Sequence, residues 1–261
     1  MHGGKRFRDS VLVDEGVERK LRELADLAPL HSRPALVALE QAKLVFPELP
    51  HIAVFDTAFH ATMPPSASTY AVPQRWRSEW GIRRYGFHGL SVAWAAEQVR
   101  VPRLVVCHLG GGCSVTAVLE GRSVDTTMGF SPLEGVPMAT RAGSIDPGAL
   151  VYLLRRRNLS LDDLDHALEH ESGLAALGGL DEPLGFGVFT YRVAQACAGM
   201  AAALGGLDAL VFTGGVGENR EDVRVSVAGR LRFLGDFVVE VVPAREDAVI
   251  ARSVRMLLRA E

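Results

Sequence analysis

Along the first fifty positions apolar residues recur at helical spacing, and further on they gather into short unbroken runs that end in glycine. Val17, Leu21, Leu24 and Ala28 share one helical face, and Pro29 is expected to end that helix. A second helix is expected to follow Pro34 and to stop at Pro47. Residues 52–55 read as a buried strand with the polar Asp56 just past its end. Residues 83–89 read as an irregular loop and 91–99 as a helix.

The centre of the chain is more specific. A strand over 104–108 runs into Gly110-Gly111-Gly112, a second covers 114–119, Glu120-Gly121 turns, and a third covers 122–124. This predicts an antiparallel hairpin whose tip is opened for a ligand, because glycines let backbone N–H groups approach a phosphate. Helices dominate from Asp146-Pro147 onward, one of them capped by Ser160 with Asp163 three residues later. A long helix over about 189–204 leads into a strand at 209–213. That strand ends in Gly214-Gly215-Val216-Gly217-Glu218-Asn219, ahead of another helix. Strand, glycine turn and helix in that order present a helix N-terminus to a nucleotide. Together the two glycine turns predict a mixed α/β domain built around a nucleotide.

Composition narrows the class. With 261 residues, 48% of them hydrophobic, the chain can bury the core of one large domain or two modest ones. Lys+Arg 28 against Asp+Glu 31 offers neither a nucleic-acid surface nor an acidic tail. The opening Met1-His2-Gly3-Gly4-Lys5-Arg6 lacks the apolar core of a signal peptide, and the most apolar later stretch, 196–207, is too short to cross a bilayer. No membrane association is expected. Cys107, Cys113 and Cys197 make an odd count without metal-ligand spacing, which fits a reducing cytoplasm.

Either glycine turn alone is equally well a plain turn. Arg220 stands where a dinucleotide fingerprint has its third glycine, and no Gly-Lys-Ser/Thr is present. Three polar residues near the turns shift the balance. Asp56 sits among aromatics at a strand end, His88 lies between glycines in Tyr85-Gly86-Phe87-His88-Gly89, and Arg141 lies in the small-residue run Met138-Ala139-Thr140-Arg141-Ala142-Gly143. One acid, one histidine and one arginine beside two glycine turns suit phosphoryl transfer, where catalysis is positioning plus charge stabilisation. His166 and His170 lack the His-Glu-x-x-His order of a zinc site and read as a solvated helical face. No Gly-x-Ser-x-Gly elbow is present, and Glu218-Asn219 is also able to cap the helix that follows.

The chain resembles the acetate kinase family in a series of blocks taken in order. These are His2-Gly3-Gly4, Leu27-Ala28-Pro29-Leu30-His31, Val54-Phe55-Asp56-Thr57-Ala58-Phe59-His60 and Arg83-Arg84-Tyr85-Gly86-Phe87-His88-Gly89. His108-Leu109-Gly110, Pro132-Leu133-Glu134-Gly135, Thr140-Arg141, Ile145-Asp146-Pro147-Gly148 and Gly215-Val216-Gly217-Glu218-Asn219 follow. The resemblance implies the α/β, actin-like two-domain fold of sugar kinases and heat-shock ATPases, with a ribonuclease H-like core and the site in the cleft. It implies ATP/ADP and Mg2+ as cofactors, and reversible transfer of the γ-phosphoryl to acetate or a similar short-chain acid to give an acyl phosphate. A propionate or butyrate kinase is the near alternative, and a homodimer is implied. Asp56 corresponds to the active-site acid, and His88 and Arg141 to the transition-state stabilisers. His108 with Gly110, Gly111 and Gly112 corresponds to the phosphate hairpin, and Gly214, Gly215, Val216, Gly217 and Glu218 to part of the adenosine site. Glu246 is similar to the magnesium-binding glutamate. Leu30, His31, Phe87 and Pro132 resemble the pocket for the acid. The domains implied are 1–59, joined by a returning helix over 248–261, for the acid, and 60–247 for the nucleotide.

Departures from the family pattern carry expectations too. Family members have an upstream strand, an Asn-x-Gly-Ser-Ser-Ser phosphate loop and an arginine ahead of the His-Gly-Gly block, which do not occur here. The first domain is therefore expected to be incomplete, and the chain by itself to form little acyl phosphate or to act as a non-catalytic nucleotide- or partner-binding remnant. Gly111 replaces a usual asparagine and Ser144 a usual aspartate. The chain is short between Leu177 and Phe189, where the family contacts adenine, so weak base selectivity is expected.

Overall fold

The computed structural model describes residues 1–24 and 29–260. The first fifty-odd residues build a small unit of their own. Strand β1 (Val11–Leu12) pairs antiparallel with β2 (Ile52–Ala53), and helices α1 (Glu15–Glu23) and α2 (Pro29–Val45) lie between them in sequence. Asp14 caps α1 by accepting from the Val17 N–H at 2.6 Å. Val17, Leu21 and Leu24 face the small core as their spacing requires, and Ala28 lies outside the described residues. That core holds Phe7, Leu21, Leu36, Ala53 and Phe55, with the Phe7 and Phe55 rings stacked at 4.8 Å.

Three expectations fail in this unit. Helix α1 ends at Glu23, with Leu24 as its C-cap, so Pro29 opens the next helix instead of ending the first. Helix α2 starts at Pro29 rather than after Pro34, which sits inside it. Proline at the first helical position leaves unmade only an N–H that has no partner there, so Pro29 opens α2 readily, and the helix continues through Pro34 despite the bond lost at that residue. The strand expected over 52–55 is only two residues long, because its partner β1 offers only Val11 and Leu12.

After a 3₁₀ turn at Ala58–Thr62 come short helices α3 (Pro65–Ser68) and α4 (Gln74–Ser78), then α5 (Gly89–Gln98). The main sheet follows. Strands β3 (Arg103–Leu109), β4 (Cys113–Leu119) and β5 (Arg122–Thr126) form an antiparallel meander, as expected. Helices α6 (Pro147–Arg156) and α7 (Leu161–His166) come next. Ser160 caps α7 by accepting from the Asp163 N–H, and α7 runs into a wide π-helical turn at Ala167–Glu171. Helix α8 (Pro183–Leu204) leads into β6 (Ala209–Thr213), then α9 (Gly214–Asn219), α10 (Glu221–Arg230), β7 (Val238–Val241) and α11 (Glu246–Ala260). The strand order is β5-β4-β3-β6-β7, with β6 and β7 parallel to β3.

The period-two alternation of β3 and β6 divides the sheet into two faces. Val105, Cys107, Leu109, Leu210 and Phe212 join the large core under α8 and α10. Leu104, Val106, Ala209 and Val211 join a smaller core with Val92 and Ala95 of α5. The next residues on that second face are His108 and Thr213, so polar groups arrive on the α5 side at the C-terminal ends of the central strands. Helix α11 packs against α5, with Arg252 paired to Glu97 at 2.7 Å.

Candidate active site

Asp56 is fixed by the start of α5. One carboxylate oxygen accepts from the His88 N–H at 2.7 Å, the other accepts from the Leu90 N–H at 3.3 Å, and the Asp56 carbonyl accepts from the Gly89 N–H at 2.8 Å. A carboxylate at a helix N-terminus satisfies orphan donors and meets the positive end of the helix dipole. The same contacts hold His88 in the left-handed region (φ 59°), a conformation that costs a non-glycine residue about 1–3 kcal/mol and persists only where the surroundings impose it.

This backbone turn aims the His88 ring at the hairpin tip. His88 Nδ1 shares a hydrogen bond with Ser114 Oγ at 3.0 Å, and the ring lies 4.2 Å from that of His108. His108 Nδ1 in turn shares a hydrogen bond with Ser91 Oγ at 2.8 Å. Burial pushes the His108 pKa down, so its ring is neutral near pH 7.

The glycines bring the other groups together. A Cβ on Gly112 would stand 3.0 Å from His88 Nε2 and 3.1 Å from an Arg141 Nη, so the hairpin tip, the histidine and the arginine meet at one point. A Cβ on Gly110 would stand 3.7 Å from the Gly215 amide nitrogen and 3.8 Å from His108 Nε2, so the two glycine turns adjoin. Gly214 has a φ of +80° and a Cβ there would lie 2.8 Å from the Leu109 carbonyl oxygen, which leaves room only for glycine. Gly111 and Gly215 face open space.

Arg141 donates to the Pro132 carbonyl at 2.9 Å, which ties it to a wall of the neighbouring cleft. Its loop is strapped by the π-helical turn and the segment after it. Ser172 N–H donates to the Thr140 carbonyl at 2.9 Å, Leu174 N–H to the Met138 carbonyl at 2.8 Å, and the Thr140 hydroxyl to the Glu169 carbonyl at 2.7 Å.

A cleft of about 280 Å³ lies beside His88, lined by Asp56, Phe87, His88, Leu90, Pro132 and Glu246 together with Met1, His2, Val54 and Ile250. It gathers five of the residues singled out in the sequence, Asp56, His88, Phe87, Pro132 and Glu246. Burial raises the Glu246 pKa, and the Asp56 charge raises it further. Among the described residues no three His, Cys, Asp or Glu side chains form a metal cage. Two carboxylates sharing one cleft nevertheless suit magnesium, which is held by one or two carboxylates plus substrate phosphates and water.

Some expected residues take other roles. Gly214 to Glu218 are the first turns of helix α9, not a loop before a helix. The Glu218 carboxylate accepts from the Gly214 N–H at 2.9 Å and from the Ala244 N–H at 3.0 Å, so it bolts that helix start to the segment carrying Glu246. It does not cap the following helix, whose N-cap is Arg220. Val216 packs partly buried against the large core. Leu30 and His31 fall in the first turn of α2, and their side chains lie outside the described residues.

Sequence reading missed the supports. Ser91 and Ser114 anchor the two histidines. The signal for Ser114 is hairpin register, since it pairs directly with His108. His60 is buried, shares a hydrogen bond with Ser123 Oγ at 2.9 Å and donates from Nε2 to the Phe87 carbonyl at 2.8 Å. Glu134 accepts from Tyr70 Oη and pairs with Arg84 at 2.7 Å, while Arg84 also donates to the Thr126 and Thr127 carbonyls.

A five-stranded sheet with one antiparallel strand next to its centre, glycine turns at the ends of β3 and β6, and polar side chains beside them place this protein in the actin-like ATPase fold class. Within that class the chain belongs to the acetokinase family, whose family model matches residues 1–253. It is 48% identical over 259 residues to the acetate kinase of Deinococcus radiodurans, covering 90% of this chain and 65% of that protein. It is 45% identical over 255 residues to the acetate kinase of Protochlamydia amoebophila, covering 90% of this chain and 64% of that protein. A crystal structure of a propionate kinase from Francisella tularensis superposes with a TM-score of 0.91 at 35% identity, covering 97% of this chain and 76% of that one. The chain thus spans a little under two thirds of the length of these curated relatives.

Proposed function

We propose that this protein belongs to a kinase that moves the γ-phosphoryl group of ATP to the carboxylate of acetate or a close homologue, reversibly, giving an acyl phosphate and ADP. The observation that carries the reading is the meeting of His88, Arg141 and the Gly112 backbone at a single point beside a cleft with two carboxylates. A carboxylate substrate is ionised near pH 7 and needs no general base. Its oxygen forms the new bond to phosphorus as the bond from phosphorus to the β,γ-bridging oxygen breaks, and no proton has to move. Arg141 offers a planar fork to the phosphoryl oxygens in flight, and His88 offers one further donor. The backbone N–H groups of the two glycine turns receive the phosphates that stay on ADP. Asp56 acts as an orienter, since its carboxylate is engaged by the backbone that sets His88. Asp56 and Glu246 would hold magnesium, which supplies charge neutralisation at the phosphates when bound.

Phe87 and Pro132, with Val54, Leu90 and Ile250, give the cleft an apolar side that suits a short alkyl group. Residues 1–59 are read as part of the acid-binding domain, in keeping with their separate core and sheet. Three buried free cysteines support a reducing cytoplasm as the setting, and a homodimer rests on family resemblance alone.

The test is hydroxylamine trapping of acyl phosphate from ATP, magnesium and acetate or propionate. It is run on the 261-residue chain and on the chain joined behind the N-terminal segment of its Deinococcus relative. Acyl phosphate formation by the joined protein that is lost in Arg141→Ala supports the reading. No product with any short-chain acid from either protein overturns it.

A further inference from the structure

His2 is buried in the wall of the acid cleft and has no role in the chemistry set out so far. Its ring is 2% exposed and meets the rings of Tyr85 and Phe87 edge-on at 4.7 Å and 5.4 Å. Nδ1 accepts from the Gly4 N–H at 2.8 Å. Burial is the main reason its pKa is pulled down to about 4, so the ring is neutral near pH 7. A neutral ring that accepts at Nδ1 carries its proton on Nε2. The Nε2–H is closed off from water and makes no hydrogen bond among the described residues. The Phe130 carbonyl lies near enough to favour the protonated ring somewhat, yet not in hydrogen-bonding geometry.

A buried donor without a partner is costly, and in a cleft wall the cost points to a partner that arrives with the ligand. Phe87 and Pro132 give this cleft an apolar side, and the group that must enter with an alkyl tail is a carboxylate, an acceptor only. Resting on the functional reading above, we propose that the His2 Nε2–H is a hydrogen-bond donor to the carboxylate of the acid substrate. Being neutral, His2 adds a directional contact without adding charge. Its edge contacts with Tyr85 and Phe87 and its Gly4 bond fix the ring, so the donor is oriented before the acid enters.

The experiment is binding of propionate to the full chain in the presence of magnesium and ADP, followed by the histidine ring N–H signals in NMR. His2→Phe keeps the ring packing and removes the donor. The inference expects the His2 Nε2–H signal to move on adding propionate, and His2→Phe to bind propionate about 10- to 100-fold more weakly, with ADP affinity unchanged. Propionate that binds with shifts around His88 while the His2 signal stays still overturns the inference and leaves the functional reading intact. Equal propionate affinity in wild type and His2→Phe does the same. Failure of every short-chain acid to bind the wild-type chain, alone or joined to the relative's N-terminal segment, removes the functional reading and this inference with it. If His2→Phe does not fold, the wild-type signal decides.

Discussion

Replacing Asp56 by asparagine should loosen the start of α5 and misplace His88 together. The wild-type carboxylate uses one oxygen for the His88 N–H at 2.7 Å and the other for the Leu90 N–H at 3.3 Å. An asparagine has a single acceptor oxygen, so one N–H loses its partner and faces an NH₂ group instead. Hydrogen bonds to a charged group contribute about 1.5–3 kcal/mol, and a negative charge at a helix N-terminus about 0.3–1 kcal/mol. The shorter bond should be kept and the longer one lost, which puts the expected destabilisation near the lower end, at about 2 kcal/mol. For a chain of this size that is a fall in Tm of about 4–8 °C. Part of the restraint on the left-handed His88 backbone is lost as well. A displacement of the ring by about 1 Å should lower turnover about 100-fold. Glycine adopts the His88 backbone conformation without strain, so Asp56→Asn should cost less stability in a His88→Gly background than in wild type. The check is thermal unfolding of all four proteins, with hydroxamate turnover measured on the same preparation of Asp56→Asn. An unchanged Tm in Asp56→Asn, within about 1 °C, would refute the reasoning, because a bond worth even the lowest of these values should show.

Arg141→Ala should cut turnover by roughly 10³–10⁵ and leave nucleotide affinity nearly unchanged; a rise confined to KM would show that Arg141 only binds substrate. Gly215→Ala adds a Cβ where nothing lies within 4 Å, so Tm should hold while ADP binding, read by calorimetry, weakens about tenfold or more. Stability should fall on acidification. Unfolded His2 takes up a proton below about pH 6.5 and folded His2 only near 4, so its contribution of about 3 kcal/mol is present above pH 6.5 and lost as pH falls toward 4. His60 acts in the same direction, while Glu246, with its raised pKa, opposes it. The slope of Tm against pH in this range should shrink in His2→Phe, and an unchanged slope would contradict the assignment. Discrimination between ATP and GTP should stay within about tenfold, as judged by side-by-side turnover of the joined protein, because the shortened stretch before α8 leaves few base contacts.

The central sheet was legible in the sequence because its signals are local. Unbroken apolar runs ended at glycines, and β6 falls on the five residues read from the pattern. The hairpin of β3 and β4 and the cap at Ser160 were equally local. What escaped depends on contacts between distant segments. The two-residue β1 is too short to show a period, and it limits β2. The Asp56 bonds to the start of α5 span about thirty residues, so the sequence offered an acid at a strand end but not its role in straining His88. Ser91 and Ser114 are ordinary residues until the sheet and α5 bring them against the two histidines. Glu218 shows the converse. Its motif suggested a ligand contact or a helix cap, and the fold turns its carboxylate to the Gly214 and Ala244 amides.

The most direct test of the account is the position of a phosphoryl mimic. A crystal structure of the joined protein with ADP, magnesium, aluminium fluoride and acetate should place the fluoride group between His88 and Arg141 against the Gly112 backbone, with the acetate methyl toward Phe87 and Pro132. A fluoride group or nucleotide phosphates lodged elsewhere, such as the polar pocket of about 450 Å³ beside Arg84 and Arg192, would contradict it.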